Sequence, residues 1–385
     1  MYTQHEISDV GDALILFADV IDSSKYSATL GYIEYAKQLH KIQSLFKSLG
    51  KTYFPPLTTV DERVFRYSNV DARGDEGTIF CHNPDEPPGE LVFKAIQFSY
   101  ELKGRLHMIY SDFHEGSPKP MKLGIGIHFD KVALITEHEI DENGDTRLII
   151  SNLEGYSINY AKRIESCSRL GKYSQIFLSK RAAHLLEGEP VVLSKQLSDL
   201  KGIQNNEEVF EVQSAFISKM PFNNEFPGSE QFFEKYGKSD DAQDFINEPW
   251  QKSFVLSVIS TLYDEARIDK LKTLYFEKIS QLVWVRPTED DPIVLFTRAK
   301  MCGEEGKHTQ KLGYLKNLVK LYPNFIHARI KLAEACWEVA KGAQEKAEIV
   351  FARNIADEFL CRFVDYLSDK EKEVYEDILS NHEPE

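Results

Sequence analysis

Ala13-Leu14-Ile15-Leu16-Phe17-Ala18-Asp19-Val20 is an apolar run of strand length that carries one carboxylate near its end. It lacks the alternation of a half-exposed strand, so it predicts a central strand buried on both faces. Ser23 and Ser24 follow. Beyond them, residues 26–49 place Ile33, Ala36, Leu39, Ile42, Leu45, Phe46 and Leu49 at helical spacing, with Gly50 as the expected stop. The run therefore feeds a strand-to-helix junction with hydroxyls at the helix start. Unpaired amides and the positive end of the helix dipole suit such a junction to phosphate.

Outward from this junction, 63–71 and 78–81 read as two strands around Gly74-Asp75-Glu76, and 89–110 as an amphipathic helix after Pro87-Pro88-Gly89. Lys122 to Ile127 and Lys131 to Thr136 read as a strand pair. A hairpin turning at Asn143-Gly144 and returning through Arg147 to Ser151 follows. A helix is expected over 154–169 and short strands over 175–179, 190–194 and 207–212. This mixture predicts an α+β sheet domain with flanking helices over 1–215. Residues 216–245, rich in Phe, Asn, Gly, Ser and charge, read as a linker. Residues 246–385 carry a helical pattern throughout and predict an all-α domain. There, Ala299-Lys300-Met301-Cys302 and Ala333-Glu334-Ala335-Cys336 are offset by the 34-residue period of tetratricopeptide repeats, and Pro323 precedes the second helix. A generic helical bundle fits equally well.

At 385 residues the chain exceeds the usual 100–200 or so of one domain. Its 42% hydrophobic and 12% aromatic content suffices for packed cores. A net charge of −15 argues against binding duplex nucleic acid or anionic lipid through basic clusters. The N-terminal residues have neither the basic start nor the apolar core of a signal peptide, and no segment approaches the roughly 20 apolar residues of a membrane span. Cys81, Cys167, Cys302, Cys336 and Cys361 are scattered without CxxC spacing, which fits a reducing cytoplasm and argues against zinc.

Alone, Asp19 and Asp75 are an ordinary strand-end and turn aspartate. Together on neighbouring strands, beside a phosphate-friendly helix start, they make an oxygen-rich site for magnesium or manganese. Asn159 and Arg163 lie four apart on one face of a predicted helix, otherwise a common solvated pair. Lys201 before Gly202 is by itself an ordinary surface lysine.

In order and spacing these residues resemble the class III adenylyl and guanylyl cyclases over about residues 10–213. The matches are Phe17-Ala18-Asp19-Val20, Gly74-Asp75-Glu76, Leu123-Gly124-Ile125-Gly126-Ile127-His128, Gly155-Tyr156-Ser157-Ile158-Asn159-Tyr160-Ala161-Lys162-Arg163, and Lys201 before glycine. The resemblance implies that Asp19, the adjoining Val20 and Asp75 hold two divalent ions, Mn²⁺ or Mg²⁺. One would activate the ribose 3′-hydroxyl and the other would hold the triphosphate. It further implies that Asn159 orients the ribose, Arg163 faces the charge building on the α-phosphate, Lys201 binds the terminal phosphates, and Ser23 and Ser24 lie in the phosphate loop. The site would be shared head to tail across a homodimer.

The sequence departs from that family at several points. Asp22-Ser23 stands where Gly-Phe is usual, and Asp130 where the His-x-Gly glycine falls. The two base-reading positions, four before Asp75 and eleven before Arg163, hold Asp71 and Asn152, so neither the adenine nor the guanine pair is present. Strand alternation puts Asp71, Arg73 and Asp75 on one face, and a base pocket of Asp71, Arg73 and Asn152 favours a small base with carbonyl acceptors. An Arg73–Asp71 ion pair that braces the hairpin is the plainer alternative. The chain is in this respect similar to the bacterial pyrimidine cyclases of Pycsar anti-phage systems, which implies cyclisation of UTP, or CTP, as an antiviral signal. Purine cyclisation and a catalytically silent nucleotide sensor are the other readings. The helical domain leaves room for a protein or ligand partner. A calcium loop at Asp141 and a diguanylate cyclase signature at Gly74-Asp75-Glu76 both fail at their required glycines.

Overall fold

The computed structural model describes residues 6–57, 60–61, 64–111, 121–140, 146–198, 200, 207–216, 250–251, 255–256, 273, 276–277, 279–280, 291–323, 325–343, 346–362 and 369–380. Two compact units divide the chain: Met1–Leu186 with Leu193–Val212, and Glu187–Val192 with Gln213–Glu385. The expected linker over 216–245 lies, apart from Phe216, outside the described residues, as does the Asn143-Gly144 turn.

In the first unit the quoted run forms the end of β1 (Glu6–Val20). Its interior position in the sheet explains its unbroken apolarity. The strand order is β4 (Tyr67–Arg73), β5 (Glu76–His82), β1, β6 (Leu123–Ile140), β8 (Ile176–Ser179), β10 (Glu207–Ala215), β9 (Val191–Ser198), with β7 (Thr146–Glu154) also paired to β6. Val60–Asp61 and Val64–Phe65 form a separate two-stranded ladder, β2 and β3. β6 runs antiparallel to β1 and parallel to β8.

Helices cover both faces of this mostly antiparallel sheet. α2 (Tyr32–Tyr53) and α3 (Pro88–Ser111) lie on one, where Gly50 approaches Val70 and Gly77 approaches the Phe46 ring. α4 (Tyr156–Ser166) lies on the other, its Ala161 packed with Ile15, Phe17, Val132 and Leu134, and the short α5 (Lys180–His184) follows β8. Burying each such aliphatic or aromatic side chain contributes roughly 1.5–3 kcal/mol.

Three expectations are corrected. The helix after Ser24 is two helices, α1 (Ser23–Leu30) and α2, separated by Gly31 at φ 76, and Ile33 and Ala36 project into solvent. Gly50 is not a stop but a point of close approach: a Cβ there would fall 2.5 Å from Val70 Cγ1, and α2 continues to Tyr53. Finally, 122–136 is no strand pair. β6 is one strand of 18 residues, held straight through His128 and Asp130 by its register with β1 from Val20↔Leu123 to Glu6↔Thr136.

Beyond the strand ends at Val191–Val192 and Gln213–Ala215, the described residues of the second unit are helices and the turns that join them. α6 (Pro292–Glu304), α7 (His308–Leu321), α8 (Ile326–Ala343), α9 (Lys346–Arg362) and α10 (Asp369–Ser380) pack each against the next. α6 and α8 start 326 − 292 = 34 residues apart, and Ala299, Cys302, Ala333 and Cys336 are buried at equivalent positions. Asp291 caps α6 by accepting from the Ile293 and Val294 amides at 2.9 and 3.3 Å. No described helix is long and apolar enough to cross a membrane.

Candidate active site

Asp19 leaves the end of β1 directly opposite Glu76 of β5 and Gly124 of β6. Asp75 stands in the two-residue turn between β4 and β5, beside Gly74 at φ 59, a backbone conformation glycine adopts without strain. Two bonds pin that turn to the site: the Val20 amide donates to the Asp75 carbonyl at 3.2 Å, and Gln43 of α2 donates to the Gly74 carbonyl at 2.7 Å. The turn takes Asp75 out of the strand alternation, so only Asp71 and Arg73 share a strand face as expected.

The electrostatics mark the site as acidic. Burial, and then repulsion from Asp75 and Glu76, hold the Asp19 carboxyl above its ordinary value, against the opposing pull of Lys162 and the Val20 amide. The Tyr35 phenol is also raised, by burial first and then by the charge of Asp75, although it hydrogen-bonds Ser23. Ser23, Tyr35, Asp19 and Asp75 therefore form one neighbourhood. Ser24 is exposed at the start of α1. Ahead of it Asp22 adopts the left-handed conformation (φ 59, ψ 32) and pairs with Lys25 at 2.8 Å instead of capping the helix.

The other expected residues are placed differently. With 3.6 residues per turn, Asn159 and Arg163 lie about 160° to either side of the buried Ala161, on the face of α4 turned away from the sheet. Among the described residues their side chains make no hydrogen bond or ion pair. Asp71 lies on the sheet face of Asp19, in ion pairs with Lys47 at 3.1 Å and Arg73 at 2.7 Å. Burial acts to raise its carboxyl, but Lys47, the Ala72 amide and Arg73 outweigh it and leave it below the ordinary value. Arg73 is 89% exposed in the single chain and its guanidinium pairs with Asp71. Asn152 sits on β7 opposite Ile135, 11 residues along β6 from Gly124, or about 36 Å at some 3.3 Å per residue. Within one chain it does not join Asp71 and Arg73. Lys201 lies outside the described residues.

What the sequence reading missed is the set that surrounds Asp19. Lys162 of α4 reaches Glu76 at 2.5 Å, Glu165 at 3.3 Å and Asp19 at 4.0 Å. Gly124 and Gly126 let α4 come this close: a Cβ on Gly126 would fall 2.5 Å from the Glu165 Cα, and one on Gly124 would fall 2.6 Å from the Ser168 Cβ. The available signal was the i,i+3 pair Lys162–Glu165.

Two carboxylates on adjacent elements, with charge only partly neutralised, fit the way Mg²⁺ or Mn²⁺ is held by one or two carboxylates together with substrate phosphates. Among the described residues no group of three or more His, Cys, Asp or Glu is arranged to hold a metal by itself.

No protein-family model matches the chain, and no curated protein matches it in sequence. Its structure is similar to that of the adenylyl cyclase CyaB from P. aeruginosa, with 16% identity, a TM-score of 0.39, and coverage of 55% of this chain and 96% of that one. It is also similar to the guanylate cyclase domain of RhGC from Catenaria anguillulae in complex with GTP (16% identity, TM-score 0.37, covering 53% and 98%). A bacterial light-regulated adenylyl cyclase matches with 16% identity and a TM-score of 0.37, over 53% of this chain and 91% of that one.

Proposed function

We propose that the chain is a class III nucleotidyl cyclase that works as a homodimer, with a catalytic domain over 1–215, a linker over 216–245 and a helical sensor or interaction domain over 246–385. The observation that carries this reading is the division of one site between two faces. Asp19 and Asp75 converge at the end of β1, whereas the Asn159 and Arg163 side chains of the same chain face away from the sheet and have no polar partner among the described residues. A second copy, placed head to tail, brings its outward Asn159 and Arg163 to the first copy's aspartates.

Asp19 and Asp75, with Val20 beside them, would hold the divalent ions. When bound, these ions neutralise triphosphate charge and make the ribose hydroxyl easier to deprotonate. The 3′-oxygen forms a bond to the α-phosphorus as the bond to the bridging oxygen breaks; pyrophosphate leaves and the hydroxyl proton passes to solvent. The second copy's Arg163 opposes the charge that grows on the α-phosphate, its Asn159 orients the ribose, and Lys201 grips the leaving phosphates. Ser23 and Ser24 belong to the phosphate loop.

Within this activity we propose UTP as substrate, followed by CTP, and a role as cytoplasmic signal producer in bacterial antiviral defence. Support for the base choice is local: Asp71 and Arg73 offer an acceptor and a donor on the sheet face of Asp19, Lys47 reaches Asp71 from α2, and the purine-reading residue pairs are missing. Adenylyl or guanylyl cyclase activity is the second reading. The exposed Arg73–Asp71 pair favours it, because a solvated, paired arginine does not penalise a base without carbonyls. The test incubates the protein with Mn²⁺ and each of the four ribonucleoside triphosphates and identifies the products by chromatography. Cyclic UMP or CMP is expected, and Arg73→Ala should lower pyrimidine turnover selectively. A purine product alone overturns the base assignment, and nucleotide binding without turnover overturns the enzyme.

A further inference from the structure

Lys162 has no role in the proposed chemistry, yet its ammonium stands among the acidic groups of the site. It is 2.5 Å from Glu76 Oε2, 3.3 Å from Glu165 Oε2 and 4.0 Å from Asp19 Oδ2, with the Phe17 ring centroid 5.5 Å away. Asp19 and Glu76 face each other across the β1–β5 ladder, and Glu165 is only 4% exposed, so the three carboxylates form a fixed cradle. Helix α4 packs directly on β6 at Gly126, where a Cβ would fall 2.5 Å from the Glu165 Cα, so Lys162 projects from a backbone seated on the sheet.

We propose, building on the cyclase reading, that Lys162 is an internal competitor of the divalent cation: ammonium and metal ion use the same Asp19 carboxylate, and metal binding moves Lys162 off Asp19. Glu76 and Glu165 can receive it without large motion, since both already lie closer to the ammonium than Asp19 does. The side chain is 39% exposed, which leaves room for that shift. Like charges at this range repel strongly where solvent is partly excluded, so the lysine raises the metal concentration needed to load the site. It supports the fold at the same time, because without it Glu76, Glu165 and Asp19 repel one another.

Titration of Mn²⁺ into the full chain without nucleotide, with free Mn²⁺ read by electron paramagnetic resonance, tests this apart from activity. Lys162→Met should lower the Mn²⁺ dissociation constant about tenfold at low salt, and Lys162→Arg should leave it within about twofold of the parent. Adding Asp19→Asn to Lys162→Met should abolish the gain. Lys162→Gln replaces Lys162→Met if the latter does not melt cooperatively. Unchanged or weaker Mn²⁺ binding in the charge-removing variant overturns the proposal, including the case in which neither it nor the parent binds. A lysine that serves the triphosphate instead would leave Mn²⁺ affinity unchanged and weaken nucleotide binding, which overturns it too. Asp19→Asn in the parent separates the two levels. If it weakens Mn²⁺ binding while Lys162→Met changes nothing, only the lysine proposal fails; if it has no effect, the metal assignment itself fails.

Discussion

Burial holds the His128 imidazole neutral. Its Nδ1 lies 2.8 Å from Ser179 Oγ and its ring 4.8 Å from that of Tyr160, and the residue is 4% exposed. Desolvation brings its pKa from 6.5 down to about 4, with Asp130 opposing and Arg181 assisting. The folded value lies below the unfolded one, so as pH falls from 6.5 the unfolded chain takes the proton first. Stability is therefore lost through the window from 6.5 to about 4, on the order of 3 kcal/mol from this group alone. Urea unfolding at pH 7, 5.5 and 4 should show the parent losing more stability than His128→Gln, which cannot ionise and can still hydrogen-bond Ser179. Equal pH slopes in the two proteins would refute the assignment.

At the scale of elements, the approach of α4 to the sheet decides whether Lys162 and Glu165 reach Asp19 at all. Gly126→Ala puts a methyl into the backbone of α4 at Glu165, which no side-chain rotation relieves. About 2–4 kcal/mol of destabilisation is expected, with loss of the proposed cyclase activity as the helix lifts. Gly74→Ala meets nothing within 4 Å and suffers only from φ 59. It should cost about 1 kcal/mol. Denaturant midpoints of the two variants check the order, and a Gly126→Ala midpoint near the parent's would show that α4 has more freedom than its packing implies.

For the whole molecule, the outward placement of Asn159 and Arg163 makes a single chain catalytically incomplete in the proposed reading. Asp75→Ala and Arg163→Ala should each be inactive as pure homodimers. Mixed under conditions of subunit exchange, they should recover about a quarter of parent activity, since half of the dimers at random pairing carry one intact site of two. A mixture that stays inactive, while exchange is verified by differently tagged subunits, rules out sharing. The second unit buries Ala299, Cys302, Ala333 and Cys336 in its own helices, and the buried Tyr375 hydroxyl donates to the Ile330 carbonyl at 2.7 Å.

Local chemistry alone determined much of this chain. The burial of β1, the pairing of β4 with β5 around Gly74-Asp75, the extent of α3 and the 34-residue offset of α6 and α8 follow from apolar periodicity and turn residues, which act over a few neighbours. Asp19 and Asp75 were legible as a pair because each sits at the end of a recognisable element. Contacts between distant segments decided the rest. Whether Gly50 ends a helix or receives Val70 depends on a strand 20 residues away, and whether 122–136 turns or runs straight depends on its ladder with β1. Lys162 carries no local signal beyond its i,i+3 spacing from Glu165, and it gains its partners only because glycines of β6 let α4 come down onto the sheet. Periodicity tells which face of a helix is apolar, but the residues at the edge of that face acquire partners only when the sheet beneath them is assembled.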